Sequence, residues 1–358
     1  MANVTDCVFR GLFAKYGKPD VTWTEFVSAD GLVSAGGKRL LIDLKYSPKE
    51  RPIVAQLFTG HPDKMFEAAR LIRKLKFDGL DINMGCPDRA VEKQGGGSAL
   101  IKSPRVAIEV LNAARRGWAY GSASALISEN NLKDGMNVPV SVKTRLGYNQ
   151  VDFGWIRLLL EQNLPALTVH LRTRKEMSDV PAHWEVMPEI VKMRDEIQND
   201  RPVSERTLII GNGDVGSLEE AVEKTVKYGC DGVMIGRGIF GKPWFFEEIG
   251  QIRKMRHLKS HIGHVVRPNQ YILKDILNQT DDRTPRERLK IMLEHARLFD
   301  KEFCGRKRVK NFAVMKKHFK AYVSGWDGTK ELRAELMETE NYREVKKIVE
   351  NYIRNRVD

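Results

Sequence analysis

Gly79-Leu80-Asp81-Ile82-Asn83-Met84-Gly85-Cys86-Pro87 begins as a strand and ends as something else. Leu80, Ile82 and Met84 alternate with period two, and Pro87, having no N–H to give, stops the ladder. The stretch predicts a strand that carries Asn83, Gly85 and Cys86 to the mouth of a sheet. A free cysteine is most often just a small buried apolar residue. The thiol acquires a chemical reading only from its neighbours elsewhere in the chain.

Outward from this strand the same arrangement repeats. Strands are predicted over residues 21–27, 52–58, 79–84, 138–144, 166–171, 207–211 and 232–236, with amphipathic helices over 63–76, 104–116, 153–162, 184–198 and 217–228. Strands joined through helices must run parallel, because a crossover returns the chain to the same edge. Strand–helix units in this number over about 250 residues fit a (β/α)8 barrel. The eighth strand would have to come from Met1–Val4, ahead of a helix over 6–16. Residues 117–137, rich in Ser, Asn and Gly, read as a peripheral insertion. From residue 285 the pattern is helical only, over 285–303, 309–324, 330–335 and 342–356. The expected division is a catalytic barrel over 1–252, a linker over 253–284 and a helical domain over 285–358.

Composition bounds the function. A chain of 358 residues, 42% hydrophobic and 30% charged, is that of an ordinary globular protein. No apolar run approaches the ~18 to 20 residues of a membrane span, and no basic-then-apolar leader opens the chain, so a cytoplasmic protein without a membrane partner is expected. Cys7, Cys86, Cys230 and Cys304 are far apart, without C-x-x-C or Cys/His ligand spacing. Neither a disulfide frame nor a metal site is indicated. The net charge of +13 is lopsided: residues 251–358 hold 26 Lys+Arg against 15 Asp+Glu, leaving 34 against 32 for residues 1–250. A near-neutral body with a basic appendage suits a polyanionic partner, although basic surfaces also serve solubility.

Barrel sites lie at the C-terminal ends of strands, and here those ends are polar: Gln56, Asn83 with Cys86, Lys143 with Arg145, His170 with Arg172, Asn212-Gly213-Asp214 and Gly236-Arg237-Gly238. The last two are strand-to-glycine turns followed by helical sequence. Such turns let backbone N–H groups close on a phosphate, with Arg237 adding charge. Lys143 reads as a cation against the electron-rich edge of a flavin, and Gln56 as a hydrogen-bonding neighbour of the same ring. On the helix around 310–323, Phe312, Met315, Phe319, Tyr322 and Val323 share one arc, while Lys310, Lys316, Lys317 and Lys320 share the other. The first arc is bundle core; the second, preceded by Arg306-Lys307-Arg308, is a candidate phosphate-contacting face.

These residues make the chain resemble the FMN-dependent tRNA-dihydrouridine synthases. The resemblance rests on Val4-Thr5-Asp6 with Phe9-Arg10, Thr24 to Ala29, Gln56-Leu57-Phe58, Asp81 to Pro87, Lys143 to Gly147, His170 to Thr173, Gly211 to Asp214 and Gly236 to Gly238. It implies a (β/α)8 barrel with a C-terminal helical domain, FMN at the barrel mouth, NADPH or NADH as reductant, and a tRNA uridine flipped toward the flavin. Cys86 is then similar to the proton donor for uracil C5, and Asn83 to a uracil contact. Arg145 and Arg172 fall among the substrate contacts, and Lys316, Lys317 and Lys320 among those to tRNA. Met1, Gln56, Lys143 and His170 would touch the flavin, with Asn212, Gly213, Asp214, Gly236 and Arg237 around its phosphate. A monomer is expected. The chain departs from the family pattern in lacking Ala-Pro before Met1 and in carrying Leu171 where a small residue is usual, which would narrow the space near ring or phosphate. Two rivals stand beside this reading. One is an FMN barrel oxidoreductase of the dihydroorotate dehydrogenase type, against which the basic last 108 residues argue; the other is a non-catalytic RNA-binding relative.

Overall fold

The protein is described by a computed structural model over residues 1–120, 138–247, 283–305 and 308–356. The greater part of the expected insertion, nearly all of the linker over 253–284, and Arg306-Lys307 lie outside the described residues. Helices in chain order are α1 (Cys7–Tyr16), α2 (Ala29–Val33), α3 (Pro62–Lys74), α4 (Arg89–Lys93), α5 (Pro104–Tyr120), α6 (Phe153–Leu160), α7 (Met187–Ile197), α8 (Leu218–Tyr228), α9 (Pro285–Phe299), α10 (Val314–Tyr322), α11 (Thr329–Met337) and α12 (Tyr342–Arg356). Strands are β1 (Thr22–Ser28), β2 (Ile53–Phe58), β3 (Gly79–Met84), β4 (Val140–Arg145), β5 (Ala166–His170), β6 (Leu208–Asn212) and β7 (Gly232–Met234). The chain divides into two compact units, residues 1–2 with 21–236, and residues 3–20 with 237–358.

In the first unit the strands are all parallel and neighbour one another in chain order from β1 to β7. This is the curled parallel sheet that the strand–helix alternation demanded, and β3 has the bounds read from its sequence. Where the eighth barrel strand was expected, residues 2–4 form a turn.

Period two sorts the side chains. Leu80, Ile82 and Met84 of β3, Val140 and Val142 of β4, and Leu167 and Val169 of β5 are fully buried with Met65, Ala69 and Ile72 of α3 and Val110, Leu111 and Ala114 of α5. Each large side chain so buried contributes roughly 1.5–3 kcal/mol. Leu171 belongs to this core, so it does not narrow the polar side of the sheet as its position after His170 suggested. The opposite face is set by register: Gln56 sits beside Asp81, Asp81 beside Ser141, Asn83 beside Lys143, and Arg145 beside His170. Polar groups that alternate with core residues therefore gather on one side, toward the strand ends.

In the second unit α1 lies with the C-terminal helices. Asp6 Oδ1 caps it by accepting from the N–H groups of Val8 (2.9 Å) and Phe9 (3.0 Å). Phe9 stacks on His295 of α9 at 5.0 Å and meets His318 of α10 edge-on at 4.7 Å. Lys15 pairs with Glu294 at 2.7 Å. The sequence placed this helix with the barrel; Phe9 instead finds its partners nearly 300 residues later, a pairing no local period can announce. A Thr284/Glu287 capping box opens α9, which passes into a π-helical turn over Asp300–Cys304. Phe312, Met315, Phe319, Tyr322 and Val323 are buried as the helical arc required, and His318 is buried with them. Gly241 has φ +65°, and a Cβ there would lie 2.6 Å from the backbone of α10 at Ala321 and Tyr322, so only glycine fits.

Candidate active site

Cys86 leaves β3 in a turn built by Asn83. The Asn83 Oδ1 accepts from the N–H of Gly85 (3.1 Å) and of Cys86 (2.9 Å), the side chain standing in for a backbone turn. On its other side the Cys86 carbonyl accepts from the N–H (2.9 Å) and hydroxyl (2.8 Å) of Ser98. The backbone on both sides of the thiol is thus fixed while the side chain stays half-buried and free of any disulfide. Burial pushes the Cys86 thiol up from its ordinary value, against the opposing pull of Arg145 and Lys143. It is a protonated sulfur at neutral pH.

Lys143, one strand away and level with Asn83, is lowered to about 8 by burial, aided by the charge of Arg145 and opposed by Asp81. Among the described residues no hydrogen-bond acceptor meets its ammonium group. Asp81, which the sequence reading passed over, is fully buried. Its Oδ1 accepts from Ser141 Oγ (2.6 Å) and its Oδ2 from Gln56 Nε2 (2.7 Å). Burial raises it to about 6, with these two hydrogen bonds and Lys143 opposing. The signal was present: Asp81 has the same strand parity as Asn83. Gln56 Oε1 accepts from Asn83 Nδ2 (3.1 Å), so most of the Gln56 amide is occupied inside the protein.

The two arginines expected at substrate are turned inward. Arg145 is buried and donates from Nε to Gly85 O (2.8 Å) and from Nη1 to Thr173 O (2.8 Å) and Met177 O (2.9 Å). Arg172, 2% exposed, donates from Nε to Val180 O (2.6 Å), lies 3.1 Å from His170 Nε2 through Nη1, and pairs with Asp214 through Nη2. A guanidinium donates only, so His170 Nε2 accepts. These bonds make Arg145 a support of the turn beside the thiol and Arg172 a support of the loops at Val180 and Asp214.

At the far end of the sheet, Asn212 Nδ2 donates to Met234 O (2.8 Å), tying the end of β6 to β7. Gly213 (φ +135°) and Asp214 (φ +46°) turn the chain away, and Asp214 Oδ2 also accepts from the Ala182 N–H (2.9 Å). Asp214 therefore braces the turn. A Cβ on Gly236 would find only Asn212 Nδ2, at 3.9 Å, so the two turns stand side by side with open space at Gly236. Met1 belongs to this unit, whereas Arg237, which is exposed, opens the second segment of the other. Of the lysines on α10, Lys317 and Lys320 are exposed and Lys316 half-buried. Among the described residues no group of three or more His, Cys, Asp or Glu is placed to hold a metal ion, and no helix is long and apolar enough to cross a membrane.

Comparison with known proteins adds the following. A family model described as Dihydrouridine synthase (Dus) matches residues 1–357. A protein from Staphylococcus aureus (strain MRSA252) named probable tRNA-dihydrouridine synthase is 34% identical over 360 residues, 98% of this chain and 91% of that one. A protein from Bacillus subtilis (strain 168) named probable tRNA-dihydrouridine synthase 2 is 34% identical over 361 residues, 100% of this chain and 94% of that one. The solved structure of a variant of NCR from Zymomonas mobilis aligns at a TM-score of 0.40 and 14% identity over 68% of this chain and 80% of that one, too slight a likeness to carry an argument.

Proposed function

The chain belongs to the dihydrouridine synthase family, and on that premise we propose that it saturates the C5–C6 double bond of a uridine in tRNA, with Cys86 giving the proton to C5. The observation that carries the proposal is a sulfur held protonated by burial, in a turn fixed on both sides, at the end of a strand level with a lysine that meets no acceptor among the described residues. A general acid must hold its proton until the reacting carbon takes it, and this thiol does. No activating base is needed beside it.

The residues present fit a flavin mononucleotide. Lys143 offers an electron-rich ring edge an ammonium that meets no hydrogen-bond acceptor among the described residues, with the Asp81 charge as its neighbour. Asn212, Gly213 and Gly236 offer adjoining turns with room beside Gly236 for a phosphate. Held there, the flavin would be the source of the hydride for C6, with NADPH as its reductant. Cys86 then transfers its proton to C5, and the resulting thiolate is reprotonated from solvent. Asn83 holds the Cys86 N–H, and the Arg145 guanidinium holds the Gly85 carbonyl, so the thiol does not drift during the transfer. A base must leave its stack to reach this site, at a cost of a few kcal/mol. The balance of +11 on residues 251–358 supports tRNA, which can repay that cost over many phosphates, above a free pyrimidine.

The test uses purified protein, unmodified tRNA and NADPH, with dihydrouridine read by mass spectrometry. Cys86→Ala is expected to keep the yellow flavin absorbance and the affinity for tRNA while losing about 10²- to 10⁴-fold in turnover. Dihydrouridine formed at the normal rate by Cys86→Ala would remove the proton-donor role. A colourless protein that binds tRNA would instead favour a non-catalytic RNA-binding relative.

A further inference from the structure

We infer that Asp81 is a positioning residue: it anchors a one-way chain of hydrogen bonds, through Gln56 and Asn83 to the Cys86 N–H, that sets how the Cys86 turn is presented. The inference rests on the reading of Cys86 as the reacting thiol, but its test is chosen to stand apart from it.

The chain has a single possible polarity. An ionised carboxylate only accepts, so Gln56 must turn its Nε2 to Asp81, at 2.7 Å. That leaves Gln56 Oε1 toward Asn83, which must answer with Nδ2, at 3.1 Å. Asn83 Oδ1 is then the atom left facing the backbone, and it accepts from Gly85 and Cys86. From the other end the logic is identical, because a backbone N–H only donates and so calls for Oδ1. Neither amide can flip alone without setting two donors or two acceptors against each other. Burying such a mismatch forfeits hydrogen bonds that water cannot replace.

Besides the relay, Asp81 faces the charge of Lys143. Its second oxygen accepts from Ser141, and the side chain is fully buried. Register makes the relay possible: Gln56 and Asp81 are paired across β2 and β3, and Asn83 follows Asp81 by one period on the same face. At neutral pH the carboxyl is ionised, being raised only to about 6, so its demand for a donor is in force when the protein works. A neutral amide at 81 could face either way, and a carboxylate removes that choice.

The experiment compares wild type with Asp81→Leu, Gln56→Leu and Asp81→Asn as purified proteins. It reads the rate at which iodoacetamide alkylates Cys86, followed on the peptide that carries it, together with kcat and KM for tRNA. Asp81→Leu and Gln56→Leu each break the relay, and each is expected to speed Cys86 alkylation about fivefold or more as the turn loosens. Both should lower kcat about tenfold or more while KM for tRNA stays within about twofold. Asp81→Asn can still accept from Gln56 through Oδ1 while its Nδ2 donates to a rotated Ser141 hydroxyl, and it should stay within about threefold of wild type in both readouts. Unchanged Cys86 alkylation in the two leucine variants, with native circular dichroism, overturns the inference. If Asp81→Leu does not fold, Gln56→Leu alone decides, since it cuts the same chain with Asp81 in place. If alkylation shifts as expected while wild-type protein makes no dihydrouridine, the relay stands and the proton-donor reading falls.

Discussion

An aspartate kept ionised away from water works against the fold that holds it. Asp81 has an ordinary value of 3.8 and is raised to about 6, so as pH climbs through that window the unfolded chain releases its proton first and stability falls. The loss is about 1.4 kcal/mol per unit, or roughly 3 kcal/mol across the window. Asp81→Asn should therefore stabilise the protein at pH 8 more than at pH 4, by roughly 1–3 kcal/mol, since Lys143 loses a neighbouring countercharge and returns part of the gain. Thermal melts at the two pH values check this. Arg145 presents the reverse case. Arg145→Met would strand the carbonyls of Gly85, Thr173 and Met177 and should cost about 2–4 kcal/mol in urea unfolding. The sequence revealed where Cys86, Asn83 and Lys143 stand, because strand ends on one face can be counted. It did not reveal that Arg145 and Arg172 face backbone carbonyls, since a guanidinium reads the same whether it meets a ligand or a loop. Asp81 shares the strand parity of Asn83, but nothing in sequence tells a buried carboxylate from one on the solvent face of a strand.

Among the helices, α1, α9 and α10 share a buried aromatic cluster in which His295 and His318 lie 4.6 Å apart, ring to ring. Burial lowers His318 to about 3, with Lys317 adding to the effect, and lowers His295 well below its ordinary 6.5. Both are neutral in the folded unit. Below pH 6.5 the unfolded chain takes up protons that the folded unit refuses, so stability is present above that pH and drains away as pH falls. The loss is about 1.4 kcal/mol per pH unit for each histidine. The helical unit should thus melt earlier between pH 6.5 and 4, and His318→Phe should flatten the fall by roughly half. Circular dichroism at a series of pH values reads both. A fall equally steep in His318→Phe would dismiss the histidine as its source. The sequence foretold the apolar arc of α10 by its period, yet not His318 within it, because a histidine in a helix counts as polar until its neighbours are known. The strands were the more legible elements, since a parallel strand buried on one face declares itself in every second residue.

At the scale of the whole chain, the two units differ in what they present. The first gathers a thiol, an ammonium and two glycine turns on one face of a sheet; the second contains most of the excess positive charge. Exchange of Lys316, Lys317 and Lys320 for Ala should weaken tRNA binding and reduce the slope of log K against log salt by roughly 2–3, as about that many counterions cease to be released. Filter binding over a range of salt concentrations measures it. A slope that stays the same would move the RNA face away from α10. The fold class was readable at this scale from strand–helix alternation alone, but the boundary between units was not. The backbone passes from one unit to the other after residues 2, 20 and 236, and no change in composition marks the first two crossings.

Membership of α1 in the helical unit has a consequence for biosynthesis. Phe9 leaves the ribosome well before α9 and α10, which bring the His295 and His318 rings against it and begin at Pro285 and Val314. At about 5–20 residues per second, the nascent chain carries an uncovered greasy helix for tens of seconds. A later segment shelters an earlier one, and a product stalled before α9 would carry a naked Phe9, a handle for chaperones and proteases alike.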